Sequence, residues 1–96
     1  MTFDVFVTDD AARDIDELFA HSHSRIESAF GELAESPGSG LHPPELWTLG
    51  IREYRELRLR PYRIIYRIRG EEVQVLLICD EKRAMQSLLQ RRLLES

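Results

Sequence analysis

Apolar residues recur at every second position from Phe3 through Val5 to Val7, with Asp4 and Phe6 between them, and this period predicts a short first strand. The strand ends at Thr8-Asp9-Asp10, where side-chain oxygens can satisfy free helix N–H groups and the acids suit the positive end of the helix dipole. The spacing then becomes helical. Ala11, Ile15, Leu18 and Phe19 share one face, which leaves Asp14, Asp16 and Glu17 largely outside. A second helix starts at Ser24, the first residue of an S-x-x-E capping box that closes at Glu27. Its apolar residues Ile26, Ala29, Phe30, Leu33 and Ala34 form one stripe, and Ser36-Pro37-Gly38 ends it.

Pro37, Gly38, Gly40, Pro43, Pro44 and Gly50 punctuate the next stretch, which predicts a loop of functional length from Ser36 to Gly50. Leu46, Trp47, Leu49 and Ile51 in or beside it need cover, and Trp47 reads either as a partly buried lid residue or as an exposed partner anchor. Strand periodicity follows. Leu57 and Leu59 alternate with Glu56, Arg58 and Arg60, and Arg60-Pro61 makes a tight break. In the next strand Tyr62, Ile64, Tyr66 and Ile68 form one face, Arg63, Ile65, Arg67 and Arg69 the other, and Gly70-Glu71-Glu72 makes the hairpin turn. Val73 to Cys79 is apolar apart from Gln74, as in a central strand covered on much of both faces. Lys82 to Leu94 returns to helical spacing through Met85, Leu88, Leu89 and Leu93. The order β-α-α-β-β-β-α predicts a single α+β domain over residues 1–96: a small twisted antiparallel sheet with the first strand at an edge, an N-terminal helical pair on one face and a C-terminal helix.

A chain of 96 residues has room for one small core. It contains no apolar run long enough to span a bilayer, and Met1 to Phe19 carries acids where a signal peptide would be basic and apolar, so a soluble cytosolic protein is expected. Cys79 is single and ends an apolar run, which predicts a small core residue. His21, His23 and His42 lack metal-ligand spacing, and no metal or cofactor is predicted. Charge changes the picture more. Residues 1–51 hold two arginines against ten acids, while residues 52–96 hold eleven basic residues against seven acids, so a net charge of −4 conceals halves of −8 and +4. That asymmetry predicts contact with an anionic partner through the basic half. Arg63 and Arg67 should project from the sheet face opposite the helical pair, joined by Arg58, Arg60 and Lys82 or Arg83, to form a basic concave floor. The plainer alternative is a charged strand face turned to solvent.

The strand P-Y-R-I-I-Y-R-I after a short basic strand, the apolar strand ending in an acidic-basic cluster, and the closing M-Q-S-L-L-Q-R-R-L-L resemble the RelE/ParE toxin superfamily across essentially the whole chain. L-H-P-P-E-L, L-G-I-R-E-Y-R-E-L and R-R-L-L are closer to its ParE branch. The resemblance implies a type II toxin–antitoxin module, in which a ParD-like antitoxin wraps the toxin in a hetero-oligomer and DNA gyrase is the poisoned target. One departure stands out. ParE relatives commonly read D-G-R-R-D-M-Q where this chain has Asp80-Glu81-Lys82-Arg83-Ala84-Met85-Gln86, which leaves room for a degenerate toxin that mainly binds antitoxin.

The RelE branch is instead a ribosome-dependent mRNA endonuclease, which needs cations on the scissile phosphate and groups that move protons. Arg63 and Arg83 match two of its basic positions. Its last-helix tyrosine is replaced here by Leu89, its paired lysines have no clear counterpart, and Glu56 stands among the arginines. Arginine is also a poor general base. The resulting expectation is a gyrase poison with no catalytic residue. Arg58, Arg63, Arg67, Arg83 and Arg91 are the candidates for target binding, and Leu46, Trp47 and Leu49 for antitoxin binding.

Overall fold

The computed structural model describes residues 2–21, 23–81 and 91–92. Strand β1 (Asp4–Val7) leads into helices α1 (Asp9–Leu18) and α2 (His23–Glu35). A single 3-10 turn at Pro37–Ser39 and a one-turn helix α3 (Pro44–Trp47) lie within the loop expected to be irregular, and β2 (Tyr54–Leu59), β3 (Tyr62–Arg69) and β4 (Glu72–Asp80) complete the order. The helix expected from Lys82 to Leu94 lies outside the described residues, except at Arg91 and Arg92, which are helical.

The strands form one sheet in the order β1-β4-β3-β2. Hairpin connections make β2, β3 and β4 antiparallel, as expected. β1 takes the predicted edge position but runs parallel to β4, so the sheet is mixed rather than wholly antiparallel. The parallel direction is open to β1 because both helices and the long loop separate it from the hairpins, and no tight turn dictates its sense.

Both faces of the sheet are covered. α1, its C-cap Phe19 and α2 supply Ala11, Phe19, Ile26, Ala29 and Leu33, which pack against Ile64, Tyr66, Val73, Val75 and Ile78. On the other face Leu46 joins Tyr54, Ile65, Leu77 and Cys79 in a smaller core. β4 is therefore buried from Val73 to Cys79 with only Gln74 partly open, and Cys79 is the core residue its position predicts. β1 departs from expectation at its end: Phe3 and Val5 pack on the core and Phe6, on the other face, is exposed, but Val7 is exposed as well.

Thr8 caps α1 as its sequence suggests, accepting from the Ala11 N–H at 3.1 Å. α2 begins at His23, one residue before the expected Ser24. Asp14 is not an outward acid. β4 carries an extra residue, Leu76, because Val75 and Leu77 pair with the consecutive residues Tyr66 and Ile65. Its pairing with β1 stops at Val75, so backbone groups beyond that point need other partners. The Leu76 carbonyl accepts from Thr8 Oγ1 at 3.3 Å and from Arg92 at 3.1 Å, while the Ile78 N–H donates to Asp14 Oδ2 at 3.0 Å. Arg92 also donates to both Asp14 oxygens, at 3.1 and 3.0 Å.

Candidate functional site

Strand alternation places Tyr54, Glu56 and Arg58 of β2 on the same face as Arg63, Ile65 and Arg67 of β3. This is the face on which a basic floor was expected. Its centre is neutralised instead. Arg63 is 5 % exposed, and all three of its nitrogens are engaged: Nε donates to Glu56 Oε2 at 2.5 Å, and the two Nη atoms donate to Glu45 at 2.7 and 3.0 Å. Glu56 is 3 % exposed, and its other oxygen lies 3.6 Å from Arg58 Nε. Burial forces this arrangement, since a guanidinium taken out of water must have its donors satisfied by carboxylates. The hydrogen bonds to Glu45, and after them those to Glu56, raise the Arg63 pKa, and the same Arg63 bonds hold the Glu45 carboxyl below the usual carboxylate range. Arg63 is thus a structural ion-pair centre and does not offer itself to a target.

The remaining predicted arginines separate. Arg67 is partly buried, donating to Gln74 at 2.9 Å and approaching Glu53 at 3.6 Å, with its guanidinium 5.9 Å from the Tyr54 ring centre. Arg58 stays open at the end of β2, and Arg91 is exposed. Arg83 lies outside the described residues. Among the described residues no group of three or more His, Cys, Asp or Glu side chains is arranged to hold a metal ion, and no helix is long and apolar enough to cross a membrane.

Glu45 reaches Arg63 because the loop that carries it is pinned to the sheet. Leu41 bridges to Glu56 of β2 through reciprocal backbone bonds of 3.2 and 2.6 Å. Arg55 donates to the carbonyls of Gly38 and Gly40, and the Tyr66 hydroxyl donates to that of Pro37. Gly40 is required at this crossing. A Cβ there would meet the Tyr66 hydroxyl and stand 2.9 Å from the Glu56 carbonyl oxygen. Leu46 then drops into the second core at 1 % exposure, so it is not available as an antitoxin anchor.

Trp47 and Leu49 remain outside, at 43 % and 47 % exposure. Trp47 is therefore not a covered lid. Its indole lies beneath the Arg52 guanidinium, 4.1 Å from the ring centre, and 4.8 Å from the His42 ring. His42 is itself held by Nδ1, which donates to the Tyr54 carbonyl at 3.1 Å. An exposed aromatic fixed in this way loses little conformational freedom when a partner covers it.

Sequence reasoning missed three contributors. Glu56 stands among the arginines in the sequence, and its pairing with Arg63 is visible only once the strand register makes the two diagonal neighbours on one face. Glu45 gives no local sign of its role. Arg25, from the acidic half, crosses to the basic half and donates to the Arg60 carbonyl at 2.5 Å.

The profile of a family described as the ParE toxin of the type II toxin–antitoxin system parDE matches residues 5–85. Among solved structures, the chain is similar to a chain of the RelBE2 toxin–antitoxin complex from Mycobacterium tuberculosis, with 25 % identity, TM-score 0.68, and 86 % of this chain and 95 % of that one covered. It shares its fold with a chain of the chromosomal ParDE system of P. aeruginosa (22 % identity, TM-score 0.63, 81 % and 95 % covered). The same fold appears in a free mutant of the E. coli toxin RelE (15 % identity, TM-score 0.70, 95 % and 98 % covered). Among curated proteins none matches the sequence.

Proposed function

The chain belongs to the ParE toxin family of type II toxin–antitoxin systems, and from that premise we propose that it poisons DNA gyrase and is neutralised by a ParD-like antitoxin. The state of Arg63 carries this reading. A ribonuclease of the RelE type needs cations free to meet the charge that develops on the scissile phosphate. Here the matching arginine is buried, and every donor nitrogen is bound to a carboxylate of Glu45 or Glu56, which leaves none for a phosphate. A toxin that acts by surface contact makes no such demand, since it needs only exposed charge and an apolar anchor.

Both occur at the surface. Arg58, Arg67 and Arg91 supply charge toward the target, with Arg83 a further candidate by sequence, while Trp47 and Leu49 give the antitoxin an apolar hold on the loop before β2. The cation over Trp47 suits an amphipathic antitoxin segment with an acid beside its apolar anchor.

The two toxin chemistries differ in product. Purified toxin added to gyrase and plasmid should inhibit supercoiling or accumulate cleaved plasmid, and reporter mRNA on translating ribosomes should stay intact. Ribosome-dependent cleavage of the message with normal gyrase activity would overturn the proposal.

A further inference from the structure

The β2–β3 turn gathers cations from two distant parts of the chain. Arg58 and Arg60 flank the end of β2, and Arg25 arrives from α2 with its Nη2 on the Arg60 carbonyl. Arg60 is 76 % exposed and Arg58 47 %. Neither guanidinium is saturated. Their approaches to Glu81 are 3.9 and 4.0 Å, and Arg58 lies 3.6 Å from Glu56, all beyond hydrogen-bond range. Glu56 itself is committed to Arg63. Arg58 and Arg60 therefore share one partly open carboxylate, Glu81, whose backbone is tethered by its N–H to the Pro61 carbonyl at 2.9 Å, while Arg25 is held beside them through the Arg60 carbonyl.

We propose that this turn is a binding surface for the phosphodiester backbone of duplex DNA, with Arg25, Arg58 and Arg60 as the phosphate contacts and Glu81 as an internal competitor. Guanidinium forks match phosphate oxygens, and the backbone of DNA can be held by charge alone. A protein partner would want an apolar or aromatic anchor in the same patch. The exposed large apolar residues among those described are Phe6, Val7, Leu41, Trp47 and Leu49, and none belongs to the turn. The surface does not depend on which enzyme the toxin poisons, and a toxin seated on a DNA-bound enzyme would place it to advantage.

Counterion release supplies the test. Binding of the purified full-length toxin to a short fluorescent duplex is measured between about 0.05 and 0.2 M salt, where each phosphate contact contributes roughly 0.9 to the slope of log affinity against log salt. Arg25→Ala, Arg58→Ala and Arg60→Ala should each weaken binding severalfold and lower the slope by about 1, with melting temperatures close to the parent's. Glu81→Gln should act in the opposite direction and tighten binding. Arg13→Ala, which removes an exposed α1 arginine paired with Asp10, and Glu35→Gln, at the far end of α2, serve as controls. Absence of binding at the lowest salt overturns the proposal. So do unchanged slopes in the three arginine variants, equal losses in Arg13→Ala, or displacement of the duplex by an acidic peptide of matched charge as readily as by unlabelled DNA. Gyrase inhibition is scored separately, so DNA binding can fail while the choice of target stands, and the reverse.

Discussion

Replacing Arg63 by alanine tests the centre of the site, because the structure turns a presumed target contact into a determinant of stability. In the folded protein its guanidinium neutralises Glu56, 3 % exposed, and Glu45. Removing it leaves the Glu56 carboxylate buried, with Arg58 at 3.6 Å as its remaining cation. Breaking one side of a buried pair costs about 3–5 kcal/mol, against about 0–1 kcal/mol for a pair in solvent. The Glu45 side chain is 29 % exposed, so water recovers part of its share and the low end of the range applies. With about 4–8 °C of melting temperature per kcal/mol in a domain of this size, Arg63→Ala should melt at least about 12 °C below the parent. Urea unfolding followed by circular dichroism gives the same quantity as a lowered midpoint at unchanged slope. Combining Arg63→Met with Glu56→Leu removes both buried charges and should regain much of the loss. A loss below about 1 kcal/mol in Arg63→Ala would refute the reasoning and return the guanidinium to the surface. Otherwise, loss of toxicity in that variant reports unfolding and not target recognition.

Three further outcomes follow from the same geometry. Glu45 has a folded pKa held below its ordinary 4.5 by Arg63, so its contribution is complete above that value and is lost as pH falls through the folded pKa. Stability should decline below about pH 4.5, and Glu45→Gln should flatten that acid limb in pH-dependent unfolding; identical limbs would count against the pairing. Gly40→Ala should destabilise by about 1–3 kcal/mol, because its Cβ meets Tyr66 and the Glu56 backbone, while Gly38→Ala, with open space around it, should cost far less in the same melt. Trp47→Ala should weaken antitoxin binding by about 2 kcal/mol or more in calorimetric titration with folding unchanged, and a change under about 1 kcal/mol would remove Trp47 as an anchor.

Local periodicity carried most of the architecture. The stripe Ile26, Ala29 and Leu33, the Thr8 cap, the Arg60-Pro61 break and the continuous apolar run of β4 each depend on residues a few positions apart, and each has its expected place. Burial across the sheet was legible only in part. Alternation puts Arg63 on the face away from the helices, and the apolar run of β4 predicts cover on much of both faces, but no local pattern shows that the cover reaches Arg63. Leu46, arriving from the loop, closes that face into a second core and takes Arg63 and Glu56 out of water with it.

What the sequence determined by itself is the set of elements and the division of its charge, because helix and strand periods and net charge are sums over near neighbours. Which charges are free was decided by the tertiary structure. Arg63 lies 7 residues from Glu56 and 18 from Glu45, while Arg25 reaches a carbonyl 35 residues away. Contacts of that kind exist only once the sheet register and the loop crossing at Gly40 are formed. Desolvation then separates a guanidinium that must be paired inside from one that can remain unsaturated at the surface.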